Sequence, residues 1–339
     1  MTSENFKSGF VAILGRPNVG KSTILNALIG NKISIISPVP QTTRHQIKGI
    51  LNLKNAQIVF VDTPGIHSFK DNLASQLNTI AKQSVEGCDL ILYVADVSRN
   101  LGKEEAEIMN FLSKQETKII MALNKMDLGE HFTHSYIEAW KKQIEARNIK
   151  NDPLISYLPL SAKTGKNIQM LRDVLIKNLP TQEPFYDTYT LTDFPLKFRM
   201  ADIVREKLFL NLKAELPHSL AVEVAEISDR EKEKTEKEPK QGDNSMSYDD
   251  FMSSLAQPVK GAAPKGPVYI KVNIYVNRAS QRKIVIGEKG KLIKQIGIES
   301  RQEMEALLAK RVYLDIKVEI LADWQNKPRI LQELGYWVA

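Results

Sequence analysis

The stretch Gly15-Arg16-Pro17-Asn18-Val19-Gly20-Lys21-Ser22 reads G-x-x-x-x-G-K-S, which is the pattern of a phosphate-binding loop. The apolar run at 10–14 precedes it and predicts a buried strand, and residues 23–29 follow as an apolar helix that Gly30 ends. A strand, a glycine loop and a helix in this order form the context in which the pattern binds phosphate. Because both flanks fit, chance is a weak explanation of the match.

Each residue type in this loop has a physical role. The glycines let the backbone curl so that successive N–H groups point at phosphate oxygens, and the helix N-terminus adds partial positive charge. Lys21 places an ammonium on the outer phosphates, and the Ser22 hydroxyl can bind Mg²⁺. We therefore expect nucleotide contacts from Gly15, Arg16, Pro17, Asn18, Val19, Gly20, Lys21, Ser22 and Thr23.

Length and composition limit what the chain can be. Its 339 residues predict two domains, and a hydrophobic content of 42% is that of packed cores. No apolar run approaches the ~18 residues of a membrane-spanning helix, and residues 1–8 make a poor signal peptide. The single cysteine, Cys88, cannot form an internal disulfide, so we expect a reducing cytoplasm and a packing role for this thiol. The net charge of +7 is compatible with nucleic acid or acidic lipid as a partner.

Two later segments carry candidate magnesium ligands. Residues 32–45 predict a mobile polar loop that ends in Gln41-Thr42-Thr43-Arg44, where a threonine hydroxyl can reach Mg²⁺ when a γ-phosphate is present. The pattern leaves open whether Thr42 or Thr43 does so, and we take Thr43. A predicted strand at 57–61 then delivers Asp62-Thr63-Pro64-Gly65. In this segment Asp62 supplies a carboxylate to the magnesium site, and Gly65 brings its N–H close to the γ-phosphate.

The segment Asn124-Lys125-Met126-Asp127 follows a predicted buried strand at 117–123 and indicates which purine is bound. The Asp127 carboxylate only accepts hydrogen bonds, and guanine offers it two N–H groups, at N1 and at the 2-amino group. Adenine lacks both donors and would leave the carboxylate unpaired, which gives large discrimination. Asn124 can tie the loops together, and the Lys125 stem can cover the purine ring. Backbone N–H groups at Ser161-Ala162-Lys163 can meet the guanine oxygen.

The alternation of buried strands and helices predicts a doubly wound, mostly parallel α/β sheet, and each motif follows a strand end, where such sheets bind ligands. The segments at 15–22, 42–43, 62–65, 124–127 and 161–163 resemble, in this order, the guanine-nucleotide signature of translation-factor-type GTPases. The resemblance implies a P-loop GTPase domain over 1–180 that binds GTP or GDP. It implies magnesium contacts from Ser22, Thr43 and Asp62. It also implies catalytic roles for Asn18, Lys21, Thr43 and Gly65.

The residue that would orient the attacking water is not obvious. Many GTPases carry a glutamine just after the aspartate loop, and this chain has Ile66 there, followed by His67. Ile66 cannot orient water, and His67 is read more simply as an exposed loop residue than as a base. In GTPases that resemble this one, an asparagine at the place of Asn18 helps to bind K⁺, which supplies positive charge where an arginine finger would sit. The resemblance therefore raises K⁺ stimulation as a hypothesis.

The second half, 191–339, follows a predicted linker at 181–190. A helix with apolar residues on one stripe is predicted at 195–212, and an alternating strand at 220–227. Residues of about 228–266 are rich in Lys, Glu, Gly, Ser and Pro, which predicts a flexible insertion without a specific role. A strand at 268–276, a helix at 291–310, a strand at 312–321 and a short helix at 326–334 follow.

Between the strand at 268–276 and the helix at 291–310 stands Ile286-Gly287-Glu288-Lys289-Gly290. I-G-x-x-G is the loop that clamps a single-stranded backbone in KH modules, because its glycines allow close approach to phosphates. The pattern alone is weak, but its setting is the α+β type II KH arrangement: a helix and two strands before it, then a helix and a strand. We expect RNA contacts from this loop and its basic flanks, namely Arg282, Lys283, Ile286, Gly287, Glu288, Lys289, Gly290, Lys291 and Lys294.

Together the two halves are similar to the Era family, bacterial GTPases with a C-terminal KH domain in the TrmE-Era-EngA-Septin-like group. Matching stretches occur at 15–23, 41–45, 203–207, 214–217, 280–290, 296–298 and 334–336. The chain departs from the family's pattern in the insertion at 228–266 and in Glu288, an acid inside the clamp that would weaken backbone binding.

The resemblance implies that the RNA is the 3′ end of 16S ribosomal RNA and that the role is maturation of the 30S ribosomal subunit. It further implies a cytoplasmic monomer that associates loosely with the inner face of the cell membrane. Two alternatives stay open at this point. One is an RNA-binding assembly scaffold with little hydrolysis, which Ile66 would suit, and the other is a membrane-surface signalling GTPase whose basic domain meets lipid.

Overall fold

The computed structural model describes residues 5–40, 42–66, 72–212, 216–229 and 267–336. Gln41, His67 and most of the predicted insertion, 230–266, lie outside these residues. Residues 228–229, which the sequence assigns to the insertion, instead end a strand. Within the described residues the chain forms two sheets, each with helices packed against it.

The first sheet carries the phosphate-loop half. Its elements are β1 (Lys7–Leu14), α1 (Lys21–Ile29), β2 (Ile47–Asn52), β3 (Ala56–Asp62), α2 (Asn72–Gln83), β4 (Leu90–Asp96), α3 (Lys103–Leu112), β5 (Lys118–Asn124), α4 (Thr133–Ala146), β6 (Leu154–Pro159) and α5 (Ile168–Asn178). The strand order is β2-β3-β1-β4-β5-β6, and only the β2–β3 pair is antiparallel. The predicted mostly parallel α/β sheet is confirmed.

Helices cover both faces of this sheet, which explains why its central strands are apolar throughout. Every residue of β3 and β4 is buried. On one face, Leu25 of α1 and Leu171 of α5 belong to the same apolar cluster. On the other face, Ile108 of α3 and Trp140 of α4 share a second cluster. Because these strands are parallel, they end at one edge of the sheet, where the loops that follow them come together.

The second sheet carries the remaining half. Its elements are α6 (Leu196–Asn211), β7 (Leu220–Asp229), β8 (Val268–Val276), α7 (Ala279–Ile286), α8 (Lys291–Leu308), β9 (Val312–Ile320) and α9 (Pro328–Glu333). The strand order is β7-β8-β9, antiparallel between β7 and β8 and parallel between β8 and β9. The parallel pair requires a crossover, which α7 and α8 form. The predicted α+β arrangement of a type II KH domain is confirmed.

Helix α7 is absent from the sequence-based prediction, which leaves residues 278–290 without a helix. The sequence gives no apolar stripe there, because only Val285 of this eight-residue helix is buried. A local cap starts the helix instead. The Gln281 side chain reaches back and accepts hydrogen bonds from the N–H groups of Asn277 and Arg278, at 2.9 and 3.0 Å.

The segment that the sequence identifies as a linker lies along the first sheet. The Gln57 side-chain oxygen on β3 accepts hydrogen bonds from the N–H groups of Phe185 and Tyr186, at 2.7 and 3.0 Å. The Ser8 hydroxyl donates to the Glu183 carbonyl at 2.6 Å. The segment is therefore bound to the first sheet rather than extended away from it.

The two halves also share an apolar cluster. Leu73, Leu77 and Ile80 of α2 belong to the same cluster as Trp324 and Tyr336 of the second half. None of the helices in the described part of the chain has both the length and the apolar character needed to cross a membrane.

Candidate functional site

The loops at the carboxyl edge of the first sheet enclose a cavity of about 630 Å³. Most of the predicted nucleotide-binding residues line it: Pro17, Asn18, Gly20, Lys21, Ser22, Thr23, Thr43, Gly65, Asn124, Lys125, Asp127, Ala162 and Lys163. Residues outside the predicted nucleotide-binding set line it as well, namely Ile35, Ile36, Ser37, Pro38, Arg99, Leu128 and Leu210, together with Thr42, the alternative magnesium ligand. Leu210 belongs to α6, so the second half contributes to the wall of this cavity.

Some predicted residues stand behind the cavity wall. The Thr63 side chain is fully buried, and its hydroxyl donates to the Ile13 carbonyl at 2.8 Å. Val19 is 1% exposed and packs in the apolar core. Their side chains shape the loops from behind, so a nucleotide contact from either residue would have to come from its main chain.

Lys21 is held inside the phosphate loop by the loop's own carbonyls. Its ammonium donates to the carbonyls of Gly15 and Arg16, at 3.0 and 2.9 Å. Burial lowers the pKa of Lys21 to about 8, and the nearby Asp62 carboxylate opposes this shift. A bound phosphate would favour the charged ammonium in the same way.

Oxygen ligands suited to Mg²⁺ meet beside this lysine. The Ser22 hydroxyl donates to Asp62 Oδ2 at 2.8 Å and lies 3.1 Å from the Thr43 hydroxyl. Asp62 is fully buried, which raises its pKa, and its Oδ1 atom has no hydrogen-bond partner among the described residues. The Thr42 hydroxyl instead donates to the Val39 carbonyl at 2.5 Å. The hard oxygen donors and the unpaired Oδ1 atom fit a divalent cation, and the Thr43 hydroxyl rather than the Thr42 hydroxyl lies beside Ser22.

At the base-binding end, Asn124 ties two loops together. Its side-chain nitrogen donates to the Val19 carbonyl at 2.8 Å, and its oxygen accepts the N–H of Ala162 at 3.0 Å. Ser161 donates its hydroxyl to Asp127 Oδ1 at 2.6 Å, which orients the exposed carboxylate. The Asn124 contact uses the N–H of Ala162, and the N–H of Ser161 donates to the Lys166 carbonyl at 3.1 Å. Of the three N–H groups predicted to donate to the guanine oxygen, we therefore expect that of Lys163 to do so.

Asp96 is a further residue of this end that the sequence-based prediction missed. It ends β4, is 1% exposed, and pairs with Lys125 Nζ at 2.8 Å. Burial favours the protonated acid, but hydrogen bonds from Lys125 and Ser98 outweigh it and lower the pKa of Asp96. Its position was a usable signal, because Asp62 and Asn124 likewise end apolar strands.

The structure agrees with the sequence that Ile66 does not take the place of a water-orienting glutamine. Ile66 is 4% exposed and packs in the apolar core, while its N–H donates to the Gly15 carbonyl at 3.3 Å. Its side chain therefore points away from the cavity and cannot act on water. The Asn18 side chain donates to the Pro38 carbonyl at 2.7 Å, which joins the phosphate loop to the loop at 32–45.

The clamp loop of the second half is an exposed turn between α7 and α8. Gly287, Lys289 and Gly290 have φ values of 75°, 50° and 77°, the left-handed region that favours glycine. A Cβ atom added at Gly290 would meet no atom of the described residues within 4 Å, so a phosphate has room to approach the backbone. The charged side chains predicted to contact RNA are all exposed: Arg282, Lys283, Glu288, Lys289, Lys291 and Lys294.

Beside this loop, α8 and β9 form a groove with a cavity of about 330 Å³. Its lining is apolar with basic ends: Ile293, Lys294, Gly297, Ile298, Arg301, Leu314 and Ile316. Helix α8 continues through Gly297 as one helix, and the missing side chain of this glycine opens the groove.

Family comparisons agree with this geometry. The model of the "50S ribosome-binding GTPase" family matches residues 10–125, and the model of the "KH domain" matches residues 252–325. Curated relatives cover the whole chain. GTPase Era of Geobacter metallireducens is 36% identical over 337 residues, which is 99% of this chain and 100% of the relative. GTPase Era of Thermotoga maritima is 37% identical over 98% of both chains.

Solved structures give the same result. Era in complex with MgGDPNP and nucleotides 1506-1542 of 16S ribosomal RNA aligns with a TM-score of 0.80 and 35% identity, over 98% of this chain and 100% of that chain. A tyrosine-to-alanine variant of Aquifex aeolicus Era, bound to GDP.AlF4-, aligns with a TM-score of 0.79 over the same shares. Because these similarities extend over nearly the full length of both chains, the protein belongs to the Era family of GTPases.

Proposed function

We propose that this GTPase binds the 3′ region of 16S ribosomal RNA through its KH domain and that its nucleotide state gates this binding. It would then act in maturation of the 30S ribosomal subunit. The choice of RNA rests on a solved Era structure that is 35% identical to this chain and holds nucleotides 1506-1542 of 16S ribosomal RNA. The gating rests on the contacts of one short segment, Thr42-Thr43-Arg44.

The observation that carries the gating proposal is that neighbouring residues of this segment contact different halves of the molecule. The Thr43 hydroxyl lies 3.1 Å from Ser22 in the phosphate loop. The next residue, Arg44, is fully buried and donates to the Leu220 carbonyl of the second half at 2.9 Å. A change at the γ-phosphate that moved Thr43 would therefore also move Arg44 and its contact with the second half.

The environment of Arg44 makes it a firm anchor. Its guanidinium lies about 5.5 Å from the ring centres of Phe209 and Trp324 and 5.6 Å from that of Tyr336. Buried cation–π contacts of this kind contribute about 2 kcal/mol. The sequence predicted a mobile polar loop here, but these rings belong to the other half and could not be read from the loop itself.

Helix α6 holds the same loop at further points. Arg205 donates to the Thr42 carbonyl at 3.1 Å, and Glu206 accepts the N–H of Ile36 at 2.9 Å. Lys32 bridges Glu206 and Glu303, at 2.5 and 2.6 Å. Because Glu303 belongs to α8, the helix that starts at the clamp loop, this ion-pair cluster connects the RNA side to the loop at 32–45.

Mg²⁺ is part of the proposal, because the relative's complex contains MgGDPNP and the oxygen donors fit. The hydroxyls of Ser22 and Thr43 and the Asp62 carboxylate would hold it. When bound, the cation neutralises charge on the β- and γ-phosphates. Lys21 and the loop amides then orient the phosphates, while Asn124 and Asp127 orient the base.

K⁺ is a further part of the proposal. The Asn18 side chain belongs to the phosphate loop, lines the cavity and donates to the Pro38 carbonyl at 2.7 Å. Hydrolysis should be faster in K⁺ buffer than in Na⁺ buffer at equal ionic strength, and Asn18→Ala should abolish the difference. Equal rates of the unaltered protein in the two buffers would remove this element.

The proposed organisation is a GTPase domain over 1–180, a linker at 181–190 and the KH domain over 191–339, in a cytoplasmic monomer. Loose binding to the inner face of the cell membrane is also proposed, since the net charge of +7 favours an anionic surface. Vesicles with anionic lipid should retain the protein in a sedimentation assay, and a 16S 3′-end oligonucleotide should compete if the basic KH face makes the contact.

The gating test compares RNA affinity with GDP and with a non-hydrolysable GTP analogue bound. The unaltered protein should bind a 16S 3′-end oligonucleotide with different affinities in the two states. Arg44→Leu keeps apolar packing in the aromatic pocket but loses the charge, and it should shrink that difference at least about fivefold. Lys48→Ala removes an exposed ion pair with Asp193 and is the control. Equal RNA affinities of the unaltered protein in both states would refute gating.

A further inference from the structure

A buried acid on α3 lies behind the phosphate loop. Glu105 is 2% exposed, and its Oε1 atom forms an ion pair with Nε of Arg16, whose side chain is 13% exposed. Leaving a buried charge without its partner is strongly destabilising, so the pairing constrains both side chains. The guanine-nucleotide signature assigns no role to α3.

Glu105 is itself held in place from two other directions. Its Oε2 atom accepts the N–H of Gly102 at 3.0 Å, at the start of α3. The Tyr136 hydroxyl, on α4, donates to Oε1 at 3.3 Å. Burial raises the pKa of Tyr136, so this hydroxyl stays a neutral donor. The acid therefore has a fixed position relative to two helices.

Arg16 connects Glu105 to the part of the loop that is expected to contact phosphate. Its own carbonyl accepts the Lys21 ammonium at 2.9 Å. The next residue, Pro17, lies so close to Gly65 that a Cβ atom on Gly65 would come within 2.5 Å of the Pro17 nitrogen. Lys21 and Gly65 are both expected at the γ-phosphate. The main chain of residues 16–17 lies against both of them.

We propose that Glu105 is a positioning residue for nucleotide binding. It fixes Arg16, and through Arg16 it fixes the loop backbone that orients Lys21 and supports Gly65. Amides that point at a phosphate bind it well only if their geometry is set before the ligand arrives, and small misplacements cost much affinity. This inference depends on the GTPase activity and is independent of RNA gating.

The test is Glu105→Gln, which keeps the size of the side chain and an acceptor for Gly102 but removes the charge that holds Arg16. The dissociation constants for fluorescent GDP and for a GTP analogue should both rise about tenfold or more. The kcat at saturating GTP should change less than the affinity, by about threefold or less, because Lys21 and Gly65 themselves are retained. Glu107→Gln, an exposed acid on the same helix, is the matched control and should leave both quantities unchanged.

A purely structural role of Glu105 would affect Tm but not nucleotide affinity, and two further variants distinguish it from positioning of the phosphate loop. Tyr136→Phe removes one hydrogen bond to Glu105 but keeps its charge and its pairing with Arg16, so it should lower Tm with little loss of nucleotide affinity. Arg16→Gln alone should weaken binding like Glu105→Gln, and the double variant should bind no worse than either single one. Additive losses, or a lower Tm with normal affinity in both single variants, would overturn the proposal. If Glu105→Gln does not fold, normal affinity of Arg16→Gln would overturn it by itself.

Discussion

The phosphate loop and the clamp loop both contain glycines and lead into a helix, but they are built in opposite ways. The phosphate loop, 15–22, is enclosed: Lys21 donates to its carbonyls, Asn124 bonds to Val19, and Arg16 pairs with the buried Glu105. The clamp loop, 287–290, is an exposed turn with open space around Gly290.

This difference follows from the size of the ligands. A nucleotide is small, so a tight site must place every contact with few atoms, and this requires loops held by the surrounding fold. A nucleic-acid strand is long, and charge neutralisation along it supplies affinity without an enclosed pocket. Substitutions in the first loop should therefore have larger effects than those in the second.

The largest effect is expected for Lys21→Ala. Removing the ammonium should slow GTP hydrolysis about a thousandfold, because it stabilises charge on the outer phosphates. Single-turnover phosphate release measures this. RNA affinity without nucleotide should be unchanged. A parallel loss of RNA binding would show that the two loops are not independent.

A smaller effect is expected at the base-binding end. Asp127→Asn should weaken GTP affinity about a hundredfold, because an amide cannot accept both guanine N–H groups, and it should favour xanthine nucleotides, which carry a carbonyl there. Competition between GTP and XTP for a fluorescent nucleotide is the measurement. An unchanged GTP preference would contradict the role given to Asp127.

The clamp loop should respond more weakly still. Gly290→Asp adds negative charge where a phosphate would approach and should reduce RNA affinity about tenfold, with nucleotide affinity unchanged. Filter binding and nucleotide titration measure the two quantities. Glu288→Gln removes an acid from the same loop and should strengthen RNA binding about twofold. Equal losses of RNA and nucleotide binding in Gly290→Asp would point to misfolding.

A pH dependence smaller than the effect of Gly290→Asp is also expected. The nucleotide-free protein has a Lys21 pKa of about 8, and a bound phosphate should raise it, so binding favours the protonated form. Between pH 7 and pH 8.5 the protonated fraction falls from ~0.9 to ~0.24, so nucleotide affinity should fall about fourfold. Lys21→Arg should remove this dependence, because guanidinium does not titrate in this range. An equal fall in Lys21→Arg would assign the titration to another group.

Much of the nucleotide site could be predicted without the fold. Asp62 and Asn124 end apolar strands, the phosphate loop and Ser161 come just after strands, and parallel strands end at a common edge. Helix α7 could not be predicted, because a cap from Gln281 and one buried valine leave no periodic pattern. The choice between Thr42 and Thr43 also needed the fold, since one hydroxyl faces Ser22 and the other faces Val39.

Local patterns were thus enough for the order of most elements, the two candidate ligand classes and most residues that line the candidate nucleotide cavity, because each depends on neighbours within a few positions. The partners of Arg16 and Arg44 depend on contacts across long stretches of chain. Glu105 lies on another helix and Phe209 in the other half, and neither pairing leaves a local sequence signal. Packing alone decided that a loop expected to be mobile is anchored between the two halves, where it can couple them.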